Sequence, residues 1–218
     1  MPDFLPIMLK TKDLPCLVVG GGKIAFRKVL VLLRFKLKLT IVAKQLEPRM
    51  MKLVQRKLVD WRPKYFSPSD LLGKKMVVAA TNDTRINRKV AWWAAFFKIY
   101  YNTVDNIELS NFIFPAIYRN GALTVAISTQ GYYPAASRKV KRDIVKYFGR
   151  DYGQYLEQLC RFRNFLKVNE SDMKMKRFLL NRLLRMDIET VNKWDDNFFK
   201  EWLRHEYEAI GSDRNRFS

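Results

Sequence analysis

Leu17-Val18-Val19-Gly20-Gly21-Gly22-Lys23-Ile24-Ala25-Phe26 carries an apolar strand into Gly-x-Gly-x-x-Ala, and a helical pattern follows at once. Gly20 allows the tight turn, Gly22 removes any side chain between backbone and a pyrophosphate, and Ala25 stands where a helix must lie close against the strand. N–H groups at the helix start then face phosphate along the favourable direction of the dipole. The stretch predicts a dinucleotide site. Its pyrophosphate would lie over Gly22, Lys23 and Ile24, and its adenosine ribose near Ala43, Lys44 and Gln45 at the end of the next strand.

Outward from that turn, strands and helices alternate. Leu14–Val19, Lys38–Ala43, Leu58–Arg62, Met76–Ala80 and Ile99–Val104 read as strands. Lys23–Phe35, Leu46–Lys57 and Thr84–Phe97 read as helices, the first with Ile24, Val31, Leu32 and Phe35 on its inner side. Ser67-Pro68-Ser69-Asp70-Leu71-Leu72-Gly73 has a cap, a first-turn proline and a glycine stop, which predict a short helix. Such alternation points to a parallel sheet with helices on both faces.

The rhythm then changes. Asn111–Tyr118 and Leu123–Ser128 are strand-like, and the Asn-Gly of Arg119-Asn120-Gly121-Ala122 between them is a hairpin signal. From Pro134 onward the pattern is helical, basic and aromatic. Arg138, Arg142 and Lys146 recur there at four-residue spacing, with Val140, Ile144 and Phe148 on the opposite side. Tyr155, Phe162, Phe165, Trp194, Phe198 and Trp202 fall at helical spacings and read as core or dimer interface. The expected class is α/β: a Rossmann-like parallel sheet with helices on both faces, then a small strand-paired segment, then an all-helical C-terminal domain. The divisions are 1–111, 112–149 and 150–218.

Composition narrows the function. Hydrophobic residues make up 48% of the 218, which fits a packed globular chain. No apolar run reaches the ~18 residues needed to span a bilayer, and the start, Met1-Pro2-Asp3-Phe4-Leu5-Pro6-Ile7, lacks the basic region of a signal peptide. Cys16 and Cys160 are the only cysteines and His205 the only histidine, so a reduced, cytoplasmic chain without a resident metal site is expected. The charge is unusual: 41 Lys and Arg against 21 Asp and Glu give +20. Such a field draws polyanions, whether nucleic acid, an anionic surface or a small polycarboxylate. There is no Gly-x-x-x-x-Gly-Lys-Ser/Thr, so ATP hydrolysis has no support. The acid that usually ends the second strand of a dinucleotide fold is replaced by Val42-Ala43-Lys44-Gln45.

Four segments taken together are more specific. They are Gly20-Gly21-Gly22-Lys23-Ile24-Ala25-Phe26-Arg27-Lys28; Ala79-Ala80-Thr81-Asn82-Asp83; Asn102-Thr103-Val104-Asp105 with Phe112-Ile113-Phe114-Pro115-Ala116; and Ala126-Ile127-Ser128-Thr129-Gln130-Gly131 with Pro134 and Arg138. From about Leu5 to Arg142, and more loosely through the tail, the chain resembles the precorrin-2 dehydrogenase family, the N-terminal module of sirohaem synthases and its stand-alone relatives. That family also lacks the acid after the second strand. The expectation is that the chain stops before any methyltransferase domain.

The resemblance implies NAD as cofactor, oxidation of precorrin-2 to sirohydrochlorin, and in some members insertion of ferrous iron to give sirohaem. It extends the cofactor contacts to Thr81 and Asn82. It assigns Asn102, Ser128, Thr129 and Gly131 to substrate, with Arg138 and Arg142 of the following helix, and it implies a homodimer formed through the second half. A tetrapyrrole carrying a carboxylate on every arm suits a cationic cleft, although one ligand does not account for all of +20. Asp105, at the carboxyl end of a sheet strand, would be the proton acceptor. Its carboxylate favours the two-activity version, since some dehydrogenase-only relatives lack it. The alternative for Asp105 is a cap shared with Glu108 in Asp-x-x-Glu fashion. The rival function is a basic nucleic-acid-binding or regulatory protein built on a nucleotide fold.

Overall fold

The computed structural model describes residues 3–212. Two compact units divide the chain: one runs to Phe114 and takes back residues 130–132, and the other holds 115–129 and everything from Tyr133 onward.

In the first unit β1 (Pro15–Val19), β2 (Lys38–Val42), β3 (Asp60–Arg62), β4 (Met76–Ala79) and β5 (Tyr100–Thr103) form one parallel sheet in the order β3-β2-β1-β4-β5. The central strand is buried on both faces, as a helix-covered parallel sheet requires. Cys16 and Val18 point into one apolar layer with Ala25, Val29, Leu32 and Met50, whereas Leu17 and Val19 point into the other with Val90, Ala94 and Leu71. The first layer is supplied by α1 (Lys23–Arg34) and α2 (Pro48–Gln55), the second by α3 (Thr84–Phe96). Burial removes water from the Cys16 thiol and pushes its pKa up to about 12, so this cysteine is packing material.

The inner stripe of α1 differs from the expected one. Ala25, Phe26, Val29 and Leu32 are buried, Ile24 is 50% exposed, and Val31 and Phe35 are only half-buried. The helix turns its smallest residue to the strand, because close approach at Ala25 sets the register and the 3.6-residue period then selects 29 and 32.

Ser67 to Gly73 forms a single 3-10 turn, Pro68–Leu71, closed by Gly73 at φ +72°. Asp70 anchors it from a buried position, accepting from Ser67 N–H at 2.9 Å and pairing with Lys64 Nζ at 2.7 Å. Burial alone would raise the Asp70 pKa; the Lys64 ammonium and the Ser67 N–H outweigh it and hold the carboxyl below the usual range. A group depressed in this way stabilises fully above its unfolded pKa of about 3.9, and the contribution is lost as pH falls through the folded value. Asp70→Asn is therefore expected to cost about 1–3 kcal/mol at neutral pH. The gap between parent and variant, followed by thermal melting across pH, should close on acidification below about pH 4. A gap independent of pH would show that the Asp70 charge is not the stabilising element.

In the second unit β6 (Ala116–Asn120) and β7 (Leu123–Ile127) pair antiparallel, with Asn120 opposite Leu123. The loop residues are thus Gly121 and Ala122 rather than Asn120 and Gly121. Only Gly121 has positive φ, +52°, the pattern of a type II′ turn. β6 also starts later than expected. Asn111 instead ties its segment across β5, accepting from Tyr101 N–H at 2.7 Å and donating to Ile99 O at 3.2 Å, and Pro115 has no N–H for a ladder.

Among the described residues five helices follow in this unit: α4 (Pro134–Phe148), α5 (Asp151–Asn169), α6 (Met173–Leu184), α7 (Ile188–Lys193) and α8 (Asp196–Ser212). On α4, Val140 is 44% exposed, so it is not part of the packed side; Ser137, Lys141, Ile144 and Phe148 are the more buried positions. The helical core centres on Phe162, whose ring stacks on Phe199 at 4.0 Å, with Leu166, Leu179, Leu183 and Val191 around them. Phe199 takes the core place expected of Phe198, which is 60% exposed. Among the described residues no helix is long and apolar enough to cross a membrane.

Candidate functional site

The glycine turn sits at the carboxyl end of β1. Gly20 has φ +122°, and a Cβ there would lie 2.3 Å from the Ala80 carbonyl oxygen. Gly21 is confined differently: a Cβ would lie 1.9 Å from Gln45 O, in a segment where Glu47 N–H donates to Gly21 O at 2.7 Å. At Gly22 a Cβ would meet nothing within 4 Å. α1 begins there with no side-chain cap and no acid in its first turn, and its first internal bond is Phe26 N–H to Gly22 O. The N–H groups of Lys23, Ile24 and Ala25 therefore lack a capping partner among the described residues, at a positive helix end with open space before it. This fits the phosphates of a dinucleotide.

Ala43, Lys44 and Gln45 follow β2. Ala43 is latched on both sides, its N–H donating to Arg62 O at 3.3 Å and its oxygen accepting from Trp61 Nε1 at 2.9 Å. Lys44 Nζ rests 4.4 Å from the centre of the Tyr65 ring. The neighbouring acid, Glu47, is occupied as the cap of α2, accepting from Arg49 N–H and Nε.

At the ends of β4 and β5 the structure joins Thr81 to Asp105 through Asn87, a fully buried residue of α3. Asn87 Oδ1 accepts from Thr81 N–H at 3.1 Å and from Thr81 Oγ1 at 2.8 Å. Its Nδ2 donates to Thr81 O at 3.1 Å and to Asp105 Oδ2 at 3.0 Å. The amide is thereby fixed in orientation, and it presents a donor to one carboxylate oxygen. Asp105 is not the cap of the next turn: Asn106 caps Ile107–Leu109 by accepting from Glu108 N–H at 2.9 Å. Asn82 lies exposed between Thr81 and the α3 cap Asp83.

Asn102, on β5, is buried. Its Nδ2 donates to Phe112 O at 3.1 Å, while its Oδ1 has no partner among the described residues. A buried carbonyl oxygen of this kind calls for a donor. Gly131 has φ +88°, and a Cβ on it would run into the Ile107 side chain. Lys28 and Phe114, from two of the motif segments, meet with Nζ 4.1 Å from the ring centre, and burial pulls the Lys28 pKa down.

Ser128, Thr129, Arg138 and Arg142 belong to the second unit. Thr129 Oγ1 accepts from Tyr133 N–H at 3.1 Å and pairs with Ser137 Oγ at 3.4 Å, which ties the loop to the start of α4. Arg138 and Arg142 are exposed on α4. His205 is on the surface of α8, 4.0 Å from Glu208. Among the described residues no group of three or more His, Cys, Asp or Glu is placed to hold a metal ion.

Two residues of this site were not singled out in the sequence. Gly21 is required by backbone far along the chain, which the motif spacing does not encode. Asn87 lies within the helical pattern Thr84–Phe97, and its only local signal is an Asn at a position where the 3.6 period demands an apolar residue.

A family profile described as "Putative NAD(P)-binding" matches residues 7–116. The "Siroheme synthase" of Chromobacterium violaceum is 32% identical over 213 residues, covering 97% of this chain and 45% of its own length. That of Methylococcus capsulatus is 41% identical over 142 residues, covering 65% and 30%. The chain thus spans less than half the length of the curated relatives it matches. A solved structure titled "SirC, precorrin-2 dehydrogenase" superposes with a TM-score of 0.74 at 25% identity, covering 94% of this chain and 100% of that one. The chain therefore belongs to the putative NAD(P)-binding family whose profile it matches, and over most of its length it is similar to sirohaem synthases and to a precorrin-2 dehydrogenase.

Proposed function

We propose that the chain oxidises precorrin-2 to sirohydrochlorin with NAD, and that it then inserts ferrous iron into the product to give sirohaem. The observation that carries this reading is the Thr81–Asn87–Asp105 chain of hydrogen bonds at the carboxyl end of the sheet, where open α/β folds do their chemistry.

Gly20, Gly22 and the N–H groups of Lys23 and Ile24 hold the pyrophosphate, Ala43, Lys44 and Gln45 border the ribose, and Thr81 and Asn82 line the remainder of the cofactor site. A bound nicotinamide supplies the two-electron acceptor. Asp105 takes the proton that leaves the macrocycle as it is oxidised, and Asn87 holds that carboxylate in place. In the chelation step the iron is substrate; its ligands are the macrocycle nitrogens, and Asp105 removes pyrrole protons. Asn102 Oδ1, Ser128, Thr129 and Gly131 contact the tetrapyrrole, and Arg138 and Arg142 pair with its carboxylate arms. The working form is a homodimer of cytoplasmic enzyme, which sedimentation at micromolar concentration checks.

The test is anaerobic: precorrin-2 with NAD or NADP followed by absorbance, then sirohydrochlorin with ferrous iron or cobalt. NAD should support turnover in preference to NADP. A wild type that oxidises and never metallates would remove the chelatase half. No spectral change with precorrin-2, together with tight, steeply salt-dependent binding to duplex or single-stranded nucleic acid, would install the rival reading.

Asn87→Ala should lower kcat by roughly 10-fold, less than the ~10²-fold that marks the low end for loss of the base itself, with little change in the KM for NAD. It should also lose about 1–3 kcal/mol of stability, because Thr81 N–H is left unpaired. Asn87→Asp sets a second acid beside Asp105, so the acidic limb of the pH–rate profile should move to higher pH. A profile unmoved by that change would reduce Asn87 to a purely structural residue.

A further inference from the structure

The apolar side of α5 is only partly covered by its own unit. Tyr155, Phe162 and Leu166 are buried in the helical core; Leu156 and Leu159, half-buried against that core, and the exposed Cys160, with Arg163 and Lys167, also line a groove against α6. The groove has a volume of about 1040 Å³. Phe178 and Leu180 continue its apolar floor, and Met173 and Leu184, 72% and 60% exposed, stand at its edge. Five cations line it: Arg163, Lys167, Lys174, Lys176 and Arg177. No acid is among the lining residues, and none of the five cations makes an ion pair with the described residues. A half-covered apolar floor with exposed apolar residues at its edge and a rim of one charge sign is an unpartnered recognition surface.

We propose that this groove receives an acidic amphipathic helix of a partner protein. A helix laid in a groove presents an apolar stripe at i, i+3, i+4 and i+7 to the floor and its outer residues to the rim. Here the rim selects Glu and Asp. Other occupants match less well. A second copy of the chain would bring the same five cations against these five. A bilayer takes protruding apolar residues, not a concave floor. Nucleic acid would leave the aliphatic floor facing phosphate. The groove also gives part of the +20 a use separate from the substrate's carboxylates, and the inference stands apart from the catalytic reading.

Cys160 makes the test direct, because it is exposed and lines the groove while Cys16 is buried. The probe is a synthetic peptide of about 18 residues, long enough to sustain helix, with Leu at i, i+3, i+4 and i+7 and Glu at most other positions. Bound to the full chain, it should slow Cys160 alkylation by iodoacetamide at least ~10-fold. Arg163→Glu with Arg177→Glu should weaken its binding at least ~10-fold, which is about 1.4 kcal/mol. The same charge change at Lys52 and Arg56 on α2 should leave binding within about twofold, which separates the groove from net charge. Both pairs are exposed, so folding is preserved. The proposal is overturned if Cys160 is not protected, if both double variants weaken binding equally, or if a peptide with Ser for Leu binds as well. Protection by vesicles of phosphatidylcholine and phosphatidylglycerol, and not by the peptide, overturns it in favour of a membrane surface.

Discussion

Replacing Asp105 by Ala is expected to lower precorrin-2 oxidation at least ~10²-fold, the low end for a lost general base, while the affinity for NAD is unchanged. The separation follows from position. Asp105 lies beyond β5, and its hydrogen-bonded partner in the site is Asn87, whose Nδ2 faces it at 3.0 Å and whose amide keeps three bonds to Thr81, two through Oδ1 and one through Nδ2, when the carboxylate is gone. The fold loses no cap, since Asn106 fills that role. Stopped-flow absorbance under anaerobic conditions gives the rate, and calorimetric titration gives the affinity. Iron insertion should fall in parallel if one carboxylate serves both steps. An Asp105→Ala protein with wild-type rates would withdraw the catalytic assignment.

The second large effect is expected at Gly22. Space in front of this residue is open, so Gly22→Asp should fold and melt like the parent, yet NAD affinity should fall at least ~10²-fold. Two like charges about 4 Å apart repel by several kcal/mol at the effective dielectric of a protein surface, and the new carboxylate also competes for the N–H groups of α1. Gly21→Ala is the instructive contrast: its Cβ would collide with Gln45 O at 1.9 Å, so both melting temperature and affinity should drop. Equal NAD affinity in the Gly22→Asp and parent proteins would move the cofactor elsewhere.

What the sequence disclosed was what depends on short range. β1, the glycine turn and α1 are contiguous, and their backbone requirements are written in residues a few positions apart. The Ser-Pro start of the 3-10 turn and the order of strands and helices were legible for the same reason. The register of α1 was not, because inwardness there is set by how near Ala25 lies to the strand, a property of the packed pair. Asn111–Pro115 has strand composition, but its polar groups cross β5 through side chains, which no two-residue period reveals. Phe198 and Phe199 are adjacent and alike in type, and only the position of Phe162 decides which one is buried. The linkage through Asn87 depends on three residues, Thr81, Asn87 and Asp105, that come together only after α3 docks on the sheet.

The place of β1 in the middle of the sheet has a consequence for how the chain is made. β1 pairs with β2 on one side and β4 on the other. On the ribosome the β1–β2 ladder can close as soon as Val42 emerges, but the other edge of β1 waits for Met76–Ala79. For that interval Cys16-Leu17-Val18-Val19 presents unpaired backbone along an apolar strand, the arrangement that recruits neighbouring chains. Folding of this unit is therefore gated by synthesis of β4. Nascent chains halted between β2 and β4 should aggregate, whereas release beyond Ala79 should let them close the sheet.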